Sequence, residues 1–350
     1  MLGACSKKVA FGIWKHLIIP CYNIIYCLSQ HLTFKMGRFV FSPIILFLII
    51  IIINLILLIV VGCINSNKEK KDGFIKKIKV VSNVCCFIVF FEIGLLIMTL
   101  NNPKIDEIYY KKQIKNKYKV SDIVKLEENM KNKIIEYSHM MSRNKNGEII
   151  YNGDIVGTAS ADLENISSKF DIFKGPYIKK IYHFDNYDFS YDPSTVGYTF
   201  LDNVGMSYEQ ELPQVISTAT HELCHTKGIA RENEAVLCSI IAGVESDNSI
   251  SNYGAYIESY YRISDALKLI DLDAARSFEN EIDDLCINNN YKEICNFHAK
   301  DLEVYVQDSS IMEIGTYRLK SYNKDTFYEL INNLKEFKPK FYINGDKKIK

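Results

Sequence analysis

The sequence predicts a mostly helical α+β protein, in which two transmembrane helices lead into a soluble domain with a small sheet. Three observations carry that prediction. Residues 39–64 contain no charge, residues 80–100 contain one acid, and the rest of the chain is polar with helix-period apolar spacing. The 350 residues balance 42 Lys+Arg against 42 Asp+Glu. Zero net charge argues against a general nucleic-acid binder, which needs a concentrated positive field.

Residues 1–38 form an N-terminal juxtamembrane segment. From His16 to Phe34 it is uncharged but interrupted by Pro20, Asn23, Ser29 and Gln30, which suits either a third span or a helix lying in the interface. No small-residue cleavage site follows it, so the chain is expected to stay anchored. Residues 39–64 exceed the ~30 Å hydrocarbon core at 1.5 Å per residue and form the first span. Residues 65–79 hold Lys68, Lys70, Lys71, Lys76, Lys77 and Lys79, and are expected as a basic cytoplasmic loop. Residues 80–100 form the second span, where Glu92 has to be protonated, paired or facing protein. The long domain of residues 101–350 then lies outside the cytoplasm, although Lys104, Lys111, Lys112, Lys115, Lys117 and Lys119 pull the other way.

Within that domain, Ser121 and Asp122 open an amphipathic helix to about Ser142. Short strands and loops are expected around Glu148–Tyr151 and Tyr177–His183. Pro213 starts a helix through His225, and Gly228 suits its left-handed cap. Further helices are expected from about Arg231 to Ala242, Tyr256 to Leu269 and Asp325 to Phe337. Cys286 and Cys295 flank CINNNYKEIC and could close a disulfide outside the cytoplasm.

The chemistry lies in His221-Glu222-Leu223-Cys224-His225, an HExxH pattern. On a helix the two imidazoles stack about 40° apart and can share one metal ion, with Zn²⁺ the natural choice. Glu222 is offset and could act as general base on an activated water, while Leu223 turns into the core. A third ligand is needed. Glu232 and Glu234 lie about 200° apart on the next helix, so only one can face the metal. Glu234 shares a strip with Leu237, Cys238 and Ile241 that should turn inward, which favours it. Glu232 shares its face with Ala235 and Val236, so the choice is not forced, and the losing acid would orient an imidazole. Arg231 could pair with either acid. Tyr253, Tyr256, Tyr260, His183 and Arg262 are oxyanion-donor candidates by residue type.

At these residues the chain resembles the bacterial membrane proteins grouped as domain of unknown function 3810, with a zincin-like soluble part. HELCHTKGIARENEA (His221–Ala235) is similar to the family's HExxHxxGxxxExEA signature. Looser likenesses are STVGYTFLDNVGMSYEQELP (Ser194–Pro213), TLNNPKIDEIYY (Thr99–Tyr110), IIPCYNIIYCLSQHL and GTYRLKSYNKDTFYELI. The resemblance implies zinc ligands at His221 and His225, a base at Glu222 and an acidic ligand in Glu232-Asn233-Glu234-Ala235. Other zincins reading ExEA bind through the second Glu, which supports Glu234. Family members usually carry a further apolar span ahead of the Tyr/Pro stretch, which would make residues 16–38 an interfacial connector. The expected function is a membrane-anchored zinc metallopeptidase acting on peptide or protein substrates, or else a zinc-bearing sensor or scaffold.

Overall fold

The computed structural model describes residues 7–36, 39–41, 43–63, 68–100, 120–183, 197–200, 203–206, 210–268, 271–289, 291 and 293–294. The linker after Leu100, Cys295 and the helix expected at 325–337 lie outside the described residues, as does any Cys286–Cys295 pairing. The fold is mostly helical, with two small sheets.

The chain begins with α1 (Lys7–Ile13), a π-helical turn (Trp14–Ile18) and α2 (Ile19–Leu32). This is more than a juxtamembrane connector. Trp14, Ile18, Tyr22 and Tyr26 are buried in the same apolar core as the distant domain. The segment is also tied down by hydrogen bonds: Lys15 to Asp171, Lys179 N to Gln30 Oε1 (2.7 Å) and Tyr182 Oη to Thr33 O (3.0 Å). Its other face leaves Leu17, Ile24, Leu28 and Leu32 exposed. A short antiparallel hairpin, β1 (Phe34–Met36) and β2 (Phe39–Phe41), leads to α3 (Pro43–Cys63).

Then comes α4, unbroken from Lys68 to Leu100. The basic stretch expected as a loop is therefore helical from Lys68 onward, consistent with lysine being a good helix former. By length and composition, three helical stretches could cross a membrane: Phe11–Leu32, Pro43–Val60 and Asp72–Leu95.

The remaining elements are α5 (Val120–Met140), α6 (Ile155–Asn165), β3 (Tyr182–His183), β4 (Gly197–Phe200), β5 (Asn203–Met206), α7 (Leu212–Thr226), α8 (Glu232–Val244), α9 (Ser249–Lys268) and α10 (Leu272–Asn289). The sheet order is β3-β5-β4, with β3 parallel and β4 antiparallel to β5. Tyr182–His183 is a strand as expected, whereas Ile149 makes only an isolated bridge to Arg143. Between them α6 replaces the expected loops, its first turn capped by Asp154, which accepts from Val156 N.

α7 is the central rod, packed by α6, α8, α9 and the sheet. Pro213 sits in its first turn and Leu223 is fully buried. Gly228 adopts φ +80° past its end, and a Cβ there would meet Trp14 Nε1 at 2.8 Å. The Trp14 indole donates to Gly228 O at 3.2 Å, so the N-terminal segment is fastened directly to the end of the HExxH helix.

Asp162 on α6 accepts from Ser246 Oγ, just after α8. Burial raises its carboxyl to about 6, against the opposing bonds from Ser246 and Ser251. Because the folded state favours the protonated acid, this group's stabilisation is complete below the unfolded value of 3.8 and is lost as pH rises to about 6. At 1.36 kcal/mol per unit that is about 3 kcal/mol. Asp162→Asn should lack this dependence. In urea titrations of the micelle-bound chain, its stability relative to wild type should rise by about 2 kcal/mol between pH 4 and pH 7. A constant difference would refute the assignment.

Candidate metal centre

HExxH places His221 and His225 one turn apart on α7, and their rings lie 4.8 Å apart between centroids. Their Nε2 atoms are 3.1 Å apart. Glu232, the first residue of α8, brings Oε2 to 3.1 Å from His221 Nε2 and Oε1 to 3.5 Å from His225 Nε2. Among the described residues, these three are the group whose donor atoms converge closely enough for one ion.

The donor set fits a divalent cation. Tetrahedral bonds of ~2.0–2.1 Å put neighbouring donors about 3.3 Å apart, and the three separations bracket that value. His225 Nδ1 faces Ile229 O at 2.6 Å. A carbonyl oxygen only accepts, so Nδ1 carries the hydrogen and Nε2 is left with a lone pair toward the centre. Burial opposes charge on His225, but the Glu232 hydrogen bond and the charges of Glu222 and Glu232 outweigh it and raise its pKa. A site that favours an added proton between two carboxylates also favours a cation.

The acid that the structure brings to the imidazoles is Glu232, not the Glu234 that the helical strip favours. Glu234 does turn inward with buried Leu237, Cys238 and Ile241, as the helical strip requires. Its carboxylate, however, meets Arg231 Nη1 at 3.1 and 3.3 Å instead of the imidazoles. The two imidazoles face the rim where α8 begins, so the more exposed acid, Glu232, reaches them. Arg231 takes the structural pairing expected of it.

Glu222 is buried beside His221, and its charge is felt at His225. Tyr253 donates to Glu293 Oε1 at 2.8 Å, Tyr256 stacks on Tyr137 at 5.6 Å, and Tyr260 is fully buried. His183 lies on β3 and does not join the cluster. Sequence reasoning did not single out Ser217 and Glu258. Ser217, one turn before His221, donates to Glu258 Oε2 at 2.5 Å, and Glu258 accepts from Arg262 Nη2 at 2.8 Å. Burial would raise the Glu258 carboxyl, but Arg262 foremost, with the Ser217 bond and the His221 charge, holds it below the ordinary range.

Fold and site together define a mostly helical protein with several apolar helices long enough for a membrane and a His-His-Glu cluster on an HExxH helix. The profile described as Protein of unknown function (DUF3810) matches residues 21–325, and the chain belongs to that family. No curated protein and no solved structure matches it.

Proposed function

We propose that this protein is a membrane-anchored, zinc-dependent metallopeptidase, with its soluble domain outside the cytoplasm, two of its apolar helices (α3 and α4) crossing the bilayer, and peptides or proteins as substrates. The observation that carries this reading is the convergence of His221, His225 and Glu232 with Glu222 on the same helix. These three residues would hold the ion. A bound zinc ion supplies Lewis acidity, making water nucleophilic near neutral pH and polarising a carbonyl.

The chain's own residues do the rest. Ile229 O orients the His225 imidazole by accepting from its Nδ1. The Glu222 carboxylate accepts a proton from the attacking water. As the water oxygen bonds to the carbonyl carbon, the carbonyl π pair moves to its oxygen. When that pair returns, the C–N bond breaks, and Glu222 passes the proton to the leaving nitrogen. The products are a carboxylic acid and an amine, which exchange the remaining water proton to give a carboxylate and an ammonium group.

The burial of Glu222, at 4% exposure, favours the second reading, a zinc-bearing sensor or scaffold without hydrolysis. Glu222→Gln separates the two. For a peptidase, the variant should keep about one zinc per chain and lose hydrolysis of a peptide library by on the order of 10²–10⁴-fold. A zinc-loaded wild type that cleaves nothing in that library would refute the peptidase.

A further inference from the structure

Two contacts fix how α7 and α9 lie side by side. A Cβ at Gly254 would come within 2.4 Å of Pro213 O, and Ser217 Oγ donates to Glu258 Oε2. Both pairs are 41 residues apart in sequence, so the helices run parallel in one register. One more turn along each brings Arg262 level with His221. The side chain of Arg262 leans back toward the helix N-terminus, as helical side chains do. There its Nε and Nη2 donate to Glu258 Oε1 at 3.2 and 2.8 Å. The influence of the His221 charge on Glu258 agrees with that placement. The Arg262 side chain is 36% exposed, so it is reachable from solvent.

We infer that Arg262 is the anion-binding group of the metal centre, donating to the substrate carbonyl oxygen as it gains negative charge. The inference rests on the hydrolytic reading. The anchored Glu258 holds the planar fork in place before substrate arrives, and a preset donor acts most strongly where charge develops.

The test needs no turnover. The full chain in micelles is loaded with Co²⁺, whose visible absorption reports its ligands. Two probes are titrated: an N-phosphoryl dipeptide amide, a tetrahedral anion shaped like the oxyanion, and mercaptoethanol, which needs only the metal. In Arg262→Gln the phosphoryl peptide should bind on the order of 10²-fold more weakly. Thiol affinity should stay within about twofold, and Arg262→Lys should recover part of the loss. Unchanged phosphoryl affinity, or equal losses for both probes, would overturn the role of Arg262 and leave the metal centre standing. A wild type that takes up no cobalt would overturn both.

Discussion

Glu232→Ala should strip the proposed zinc ion from the protein, and Glu234→Ala should leave it in place. The contrast follows from one turn of α8. Glu232 presents both carboxylate oxygens to the imidazoles at 3.1 and 3.5 Å, whereas Glu234 is held by Arg231. Losing one of three ligands removes an anionic donor that offsets the cation's charge. Even outer-shell partners are worth 10–100-fold in affinity, so the loss should exceed about 100-fold. Glu234→Ala breaks a largely sheltered ion pair and should lower stability by on the order of 1 kcal/mol without releasing metal. Competition with a chromophoric zinc chelator measures both affinities on the same preparation. If Glu234→Ala released the ion and Glu232→Ala kept it, the rim placement of the centre would be wrong, and the acid favoured by the helical strip would be the ligand after all.

That reversal marks the limit of what the sequence made legible. The HExxH helix could be read in full because each signal was local: Pro213 at its start, Gly228 past its end, and two histidines four apart. The inward direction of Glu234 was also legible, because Leu237, Cys238 and Ile241 fix the buried face of α8. Periodicity does not say whether a metal sits under a helix or at its rim. That depends on the 229–231 turn that joins α7 to α8. Helix α6 was missed because Gly157, Thr158 and Ser160 weaken its local preference, and packing against α7 overrides them. The first apolar segment was ambiguous for a related reason. An apolar helix can bury against lipid or protein, and long-range contacts such as that of Trp14 with Gly228 show that one face of it belongs to the domain. The α7–α9 register was likewise invisible, because it depends on two contacts between residues 41 apart.

Gly254→Ala should be among the most damaging single-methyl changes in the protein, and it bears directly on that register. The new Cβ would lie 2.4 Å from Pro213 O and 3.0 Å from Pro213 C. Both are backbone atoms of α7, so no side chain can swing aside and the rods must part. Overpacking of this kind costs about 1–3 kcal/mol, occasionally more. Alanine is otherwise the better helix former by roughly 0.8–1.0 kcal/mol. Gly73→Ala on α4, where nothing lies within 4 Å of the added carbon, should therefore be neutral or stabilising. The sign difference between the two variants is the measurement, read as urea midpoints in the same micelles. The parted helices should also carry Glu258 and Arg262 away from the level of His221. Gly254→Ala should then weaken the phosphoryl peptide more than the thiol on the cobalt-loaded protein. If it proved as benign as Gly73→Ala, the close approach of α7 and α9 would be refuted, and the placement of Arg262 beside the metal centre would go with it.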